Sequence, residues 1–296
     1  MSRIHTPSSL VLVGLLLAAC GDNSTAQPSV VSDSATPTTQ PIQPSDASTT
    51  ELSADETQTV RLTDFAIEMP EVVAGPFIDI ELVNDGTLAH EVAFARIEPG
   101  TTAEQVLDAL AGGGESSAFL LGDPGGINLI GPGGRLRYQR QLDPGSYVVF
   151  CPFPFADGTS HHHAGMIHLF TVSASTTDRA AAADATMTLQ DDGITVSGLQ
   201  PGTRSYAITN AGTTPHEVYI MGFPAGTDLT RTDEVGSWIE NGQVGPAPLD
   251  VHLPGGHQTI EPGTTVIITM TMRAAHTYLL EDYSGLSVIT TEISLP

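Results

Sequence analysis

Short apolar runs recur along the chain from Gln58 onward, separated by glycine, proline, asparagine and aspartate. Several of these runs alternate apolar with polar residues, which predicts half-buried β-strands. The segment at 99–114 differs, because it contains helix formers and ends in glycines, and it predicts one short helix. The predicted strands of this part are FIDIELV (77–83), HEVAFARI (90–97), RLRYQRQL (135–142), SYVVFC (146–151) and MIHLFTVS (166–173).

The same pattern resumes in the second part of the chain. Strand-like runs begin with MTLQ (187–190) and ITVSGL (194–199) and continue to LSVITTEISL (286–295), with a helical segment at 228–242. We therefore predict an all-β fold of two tandem Greek-key β-sandwiches, each with one short helix.

An internal duplication supports two units. NDGTLAHEV (84–92) matches NAGTTPHEV (210–218) at six positions, 126 residues apart, and IGPGG (130–134) matches IEPGT (260–264). We predict domains at 58–174 and 186–296, joined by a linker at 175–185.

The N-terminus indicates export. An apolar run at 10–19 follows Arg3 and is too short to span a bilayer. Small residues ahead of Cys20 resemble a bacterial lipobox, which implies a signal peptide at 1–19 and a lipid on Cys20; an ordinary secretory signal cut nearby is the alternative. Residues 20–57 are rich in Ser, Thr, Pro and Asp, so we predict a disordered tether. The protein is then extracytoplasmic and anchored to a bacterial membrane, in the periplasm or at the cell surface.

The charge is strongly one-sided. The chain has ten Lys and Arg residues against 34 Asp and Glu residues, for a net charge of −24 at pH 7. This balance argues against nucleic acid as a partner and against a basic membrane-binding patch. It fits a cationic protein partner or a saline habitat.

If a lipid consumes Cys20, Cys151 has no partner for a disulfide bond. It opens the stretch CPFPFADGTSHHHAGM, in which His161 follows after nine intervening residues and Met166 after four more. His90 opens a predicted strand after an Asn-Asp-Gly turn. Thiolate and thioether ligands stabilise Cu(I), and imidazoles suit both copper states.

This arrangement resembles the cupredoxins, the blue copper family, in which one histidine comes from an early strand and a cysteine, a histidine and a methionine come from one late loop. The resemblance implies a single type 1 copper held by His90, Cys151, His161 and, as a weak axial ligand, Met166. Two departures stand out. The Cys-to-His gap is longer than in plastocyanin, although long gaps occur in copper nitrite reductase. Glu91 replaces a frequent asparagine, and we expect it to add negative charge near the site.

Alternatives remain for the ligands and the metal. His162 or His163 could replace His161, or the three histidines could form a solvated cluster that binds metals adventitiously. Zinc normally requires four strong ligands or an open water position, and the methionine favours copper over it. Phe153 and Phe155 could form an apolar rim that excludes water.

The second repeat has lost most of this set. His216 takes the histidine position, Glu281 or Asp282 the cysteine position and Leu286 the methionine position, while the segment for the second loop histidine is deleted. We therefore predict a copper-free, cupredoxin-like second domain.

These features predict an electron carrier that passes single electrons to a redox partner protein, such as a cationic cytochrome. We expect no enzymatic activity, because the His-x-His pairs on strands that multicopper oxidases use to build further copper centres are absent. Two other functions remain: a metal-free cupredoxin-like binding or scaffold module, and a periplasmic protein that binds or delivers copper through the histidine run.

Overall fold

The computed structural model describes residues 57–111, 118–174, 182–284 and 288–296. The predicted signal peptide, Cys20 and nearly all of the tether lie outside these ranges, as do residues 175–181 of the predicted linker and Leu286. Neither helix in the described part of the chain has the length and apolar character needed to cross a bilayer.

The described chain is mostly β-structure with one short α-helix in each half, which confirms the predicted all-β fold. The helices are α1 (Ala103–Ala111) and α2 (Thr232–Glu240), the second preceded by a 3₁₀ turn at Leu229–Arg231. The strands of the first half are β1 (Gln58–Thr63), β2 (Ala66–Glu68), β3 (Val72–Val73), β4 (Phe77–Asn84), β5 (His90–Ile97), β6 (Leu120–Ile130), β7 (Arg135–Gln141), β8 (Gly145–Phe150) and β9 (Ile167–Val172). Those of the second half are β10 (Ala185–Gln190), β11 (Gly193–Ser197), β12 (Gly202–Asn210), β13 (His216–Pro224), β14 (His252–Ile260), β15 (Thr265–Met272), β16 (His276–Asp282) and β17 (Ile289–Ser294).

These strands form two sheets, and each sheet runs through both halves of the chain. One sheet has the order β11-β10-β12-β15-β7-β4-β1-β2, and the other has the order β17-β16-β13-β14-β6-β5-β8-β9-β3. The halves meet where β15 pairs with β7 and β14 pairs with β6, both antiparallel. Buried apolar residues from both halves form one continuous core cluster.

Sequence patterning missed the short or N-terminal strands β1, β2 and β3, and also β6 and β14, which join the halves in the second sheet. Both joining strands contain a Pro-Gly-Gly segment, which reads as a turn rather than a strand. The glycines permit close backbone contact: a Cβ on Gly126 would lie 2.0 Å from the carbonyl oxygen of Val92, and one on Gly256 would lie 2.2 Å from that of Val218. A side chain at either position would therefore force the strands apart.

The duplicated turn is built in the same way in both halves. The Asn84 amide donates to the carbonyls of Leu88 and Ile130, both at 2.8 Å. The Asn210 amide likewise donates to the carbonyl four residues later and, at 2.7 Å, to that of Ile260. Each asparagine is fully buried and ties its turn to the end of a strand in the second sheet, β6 in the first half and β14 in the second. The exact domain boundaries stay a prediction.

Candidate metal centre

Two neighbouring strands bring together the predicted ligands from distant parts of the sequence. His90 opens β5, and Cys151 directly follows β8; the two strands pair through Ala93 and Phe150. The Cys151 Sγ atom lies 3.9 Å from His90 Nδ1 and 3.5 Å from His161 Nδ1, and the two Nδ1 atoms are 3.1 Å apart. The structure therefore joins three of the four predicted ligands in one cluster.

The loop after Cys151 folds back and places the fourth predicted ligand at the same end of the sheet. The Cys151 N–H donates to the Met166 carbonyl at 3.1 Å, and the Met166 N–H donates to the His161 carbonyl at 2.9 Å. The His161 N–H is held by the Phe153 carbonyl at 2.7 Å. Met166 is fully buried and directly precedes β9.

The donor atoms fit a single metal ion. Nitrogen and sulfur ligands about 2.0–2.3 Å from one ion lie about 3–4 Å from one another, as the three atoms here do. Among the described residues, no other three His, Cys, Asp or Glu side chains converge in this way. Two imidazoles and one thiol, with a buried methionine on the same loop, are a set of side chains that suits copper.

Burial sets the protonation of the cluster in the metal-free protein. All three side chains are fully buried. Burial lowers the pKa of His161 to about 4, with a further contribution from nearby His90, and it also lowers the pKa of His90. Both rings are therefore neutral near pH 7 and have a nitrogen lone pair for a metal. Burial raises the pKa of Cys151 to about 12, so the thiol stays protonated until a cation displaces its proton.

The other histidines of the run have different surroundings. The His162 ring is buried, and its Nδ1 lies 3.0 Å from the Cys151 carbonyl oxygen, so its contact is with the backbone of the cysteine. His163 is exposed. Of the three, only His161 has a ring nitrogen in the cluster, and the run is not a uniformly solvated group.

An aspartate that the sequence analysis missed holds the outer side of the His90 ring. Asp64 lies 3.1 Å from His90 Nε2 and accepts from the backbone N–H groups of Thr87 and Leu88. This contact leaves Nδ1 to face the cluster. The duplication carried a signal: Asp191 lies 3.0 Å from Nε2 of the second-half histidine, His216. The two aspartates are one residue farther apart in sequence than the two histidines.

Aromatic side chains cover the loop side of the cluster. The Phe155 ring lies 4.1 Å, centroid to centroid, from the ring of His161, and Phe65 stacks on Phe155 at 5.5 Å. Phe153 packs against the main core and a second apolar cluster. Phe155 therefore covers the site as part of the predicted apolar rim. Phe65 extends this rim, and the strand pattern did not reveal it.

The second half has an ion-pair cluster at the equivalent place. The pairing of Tyr219 with Glu281 is the counterpart of the pairing of Ala93 with Phe150, which places Asp282 at the cysteine position. The His216 Nδ1 lies 2.5 Å from Asp282 Oδ2. A carboxylate thus stands where the first half has a thiol.

Glu91 behaves differently from the sequence expectation. It is buried, and its Oε2 accepts from the Gln258 amide at 2.9 Å. Burial raises its pKa to about 8, although hydrogen bonds with Tyr219 and Gln258 oppose the rise. At neutral pH the Glu91 carboxyl is therefore mostly protonated. The prediction that Glu91 adds negative charge near the site is wrong, because burial removes the water that would stabilise the charged form.

Replacing Glu91 with glutamine should change how stability depends on pH. The folded-state pKa of Glu91 lies above its unfolded value, so its contribution is fully present below about pH 4.5 and is lost as the pH rises through about 8. Relative to Glu91→Gln, the metal-free wild type should lose up to about 1.4 kcal/mol of unfolding free energy per pH unit across this window. Urea unfolding between pH 5 and 9 measures the difference, and a difference that does not vary with pH would contradict the expectation.

The chain matches no protein-family model and no curated protein. Solved structures with similar folds include reduced auracyanin from the photosynthetic bacterium Roseiflexus castenholzii, at 19% identity over 39% of this chain and 95% of that chain, with a TM-score of 0.28. Blue copper oxidase from Nitrosomonas europaea is 16% identical over 76% of this chain and 75% of that one, with a TM-score of 0.22. A copper-containing nitrite reductase from Thermus scotoductus SA-01 is 12% identical over 81% and 61% of the two chains, with a TM-score of 0.23. Because these identities and TM-scores are low, the metal centre is assigned from its own geometry.

Proposed function

We propose that the protein is a membrane-tethered, extracytoplasmic blue copper protein that carries single electrons through one type 1 copper site. The observation that carries this proposal is the buried cluster of His90 Nδ1, Cys151 Sγ and His161 Nδ1, with donor atoms 3.1–3.9 Å apart. Met166, buried on the same loop, would be the weak fourth ligand. Copper in such a set would supply a one-electron couple between Cu(I) and Cu(II).

The chain contributes a rigid, dry cage for this chemistry. His90 is held by Asp64 on one side, and the His161 ring lies under Phe155. The ligand-bearing loop is closed by backbone hydrogen bonds to Cys151 and Met166. A cage that is fixed before the electron arrives lowers the rearrangement that each transfer requires.

The predicted tether and the net charge of the chain support a carrier at a membrane surface. The predicted lipid on Cys20 and the tether at 20–57 would keep the folded part near the bilayer while letting it move. A net charge of −24 would speed encounter with a cationic redox partner, such as a cytochrome with a basic surface. This attraction should weaken as salt is added.

The decisive experiment is to add Cu(II) to the chain that follows the predicted lipidation site, residues 21–296. We expect an intense visible thiolate-to-copper band at one copper per chain. The band should disappear in Cys151→Ser, because an alcohol oxygen cannot replace the thiolate. Absorption spectroscopy and metal analysis measure both quantities.

Variants in the histidine run provide the matched control. His161→Asn should lose the band, whereas His163→Asn, at an exposed position two residues away, should keep it. Tight copper binding that survives Cys151→Ser would instead favour copper capture or delivery. A wild-type protein that stays colourless with copper, with unchanged melting, would favour a metal-free binding module.

A further inference from the structure

A loop from the second half of the chain reaches the metal centre. Gln243 lies just after α2, and its side chain is buried against the segment that leads into β5. Its Oε1 accepts from the Ala89 N–H at 2.7 Å, and its Nε2 donates to the Ala89 carbonyl at 2.9 Å. Ala89 is the residue before His90. Resting on the function proposed above, we propose that Gln243 is a positioning residue that holds the copper ligand His90 in place from the second half.

The glutamine amide takes the place of a neighbouring strand. The pairing of β5 with β6 starts at His90 and Ile130, so Ala89 lies just outside the ladder. Ala89 is fully buried, and its backbone groups would lose free energy if they were left unpaired. The Gln243 side chain bonds both groups at once, which fixes the peptide planes on either side of Ala89.

The backbone of the loop is shaped for this contact. Gln243 has a φ of 57°, a left-handed conformation that is unfavourable for residues other than glycine. Gly242, beside it, packs so closely that a Cβ there would lie 2.3 Å from the Ala156 nitrogen and 2.4 Å from the Phe155 carbonyl carbon. The loop therefore touches the segments that carry both histidine ligands, since Phe155 covers the His161 ring.

The second repeat cannot form the same pair of hydrogen bonds. The residue before His216 is Pro215, which has no N–H to donate and is exposed, whereas Ala89 is buried. The pair of hydrogen bonds between Gln243 and Ala89, called the clamp below, thus occurs beside the histidine that faces Cys151. A proline precedes the histidine that faces Asp282. This difference links the clamp to the metal centre and not to the duplicated fold.

The test uses Gln243→Gly in residues 21–296, loaded with copper. Glycine is suited to the left-handed backbone, so the variant should fold while losing both hydrogen bonds to Ala89. We expect copper affinity to fall about tenfold, as for other residues that orient a metal ligand. We also expect altered visible band ratios and a lower reduction potential, because a looser, wetter site favours the more highly charged Cu(II).

Ala275→Gly is the matched control, since Ala275 is exposed and also has a left-handed φ, of 52°. It relieves the same kind of backbone conformation away from the ligand loops and should leave the spectrum and potential unchanged. Gln243→Glu keeps the side-chain length and the acceptor for the Ala89 N–H but not the donor, so it should fall between wild type and Gln243→Gly. A colourless wild type would count against the proposed function itself. If the wild type is coloured and both Gln243 variants have the same spectrum, reduction potential and copper affinity, only the proposed role of Gln243 is contradicted.

Discussion

A chain cut after Ala174 is expected not to unfold cooperatively, although it retains all four predicted copper ligands. The cut would leave β6 and β7 as open edges, because their partners β14 and β15 belong to the second half. Open strand edges of this kind favour aggregation. We therefore expect the fragment 58–174 to aggregate or to lack a sharp thermal transition.

Buried contacts across the junction explain the size of this effect. Tyr138 is fully buried and its hydroxyl lies 2.8 Å from His257 Nε2 in the second half. The Asn128 amide donates to the Val218 carbonyl at 3.0 Å. Each large apolar side chain returned to water costs about 1.5–3 kcal/mol, and several of them together approach the total stability of a typical domain, about 5–15 kcal/mol.

A nicked chain separates loss of the partner half from loss of the covalent link. A protease site placed within 175–181 and then cleaved cuts the chain at the predicted linker but keeps both halves present. The nicked protein should retain a single calorimetric transition near that of the intact chain. If the isolated fragment melted at the same temperature as the nicked protein, the two halves would be independent domains.

The pattern of apolar residues predicted the strands that alternate cleanly, such as β5, whose bounds the structure reproduces. It failed at β6 and β14, where glycine and proline allow close backbone contact between strands and therefore look like turns. Because these two strands join the halves in the second sheet, a pattern without them suggested separate sandwiches and gave no indication that each sheet is continuous.

The candidate site was likewise predictable from the sequence only in part. Ligand type and spacing are local in sequence for Cys151, His161 and Met166, and the repeated turn identified His90. The residues that hold the ligands, Asp64 and Gln243, act through tertiary contacts that no local pattern encodes. Gln243 is 154 residues away from the backbone that it binds.

Replacing His216 with alanine should destabilise the protein strongly, with or without copper. Its ring nitrogens face Asp282 at 2.5 Å and Asp191 at 3.0 Å, so each of them has a carboxyl group as its partner. The Asp282 side chain is only 1% exposed. His216→Ala would leave that carboxylate buried without a cation, at a cost of about 3–5 kcal/mol in unfolding free energy.

His90→Ala in the metal-free protein is the control for this loss. His90 occupies the same position in the first half, but the groups that face its Nδ1 are the His161 ring and the Cys151 thiol, and neither carries a charge near neutral pH. Its removal leaves a cavity without stranding a buried charge, so urea unfolding should show a smaller loss. Equal losses in the two variants would mean that cavity formation, and not the ion pair, dominates.

A double-mutant cycle isolates the pair itself. If the carboxylate is costly only because its cation is gone, His216→Ala/Asp282→Ala should be more stable than His216→Ala alone, since the double variant removes the stranded charge. Asp282 also accepts from the Ser284 N–H and hydroxyl, so some stabilisation of the carboxylate persists in the single variant. A double variant that loses the sum of the two single losses would show that no coupling exists. The ion pair would then not be what holds the second repeat together at the position where the first repeat would bind its metal.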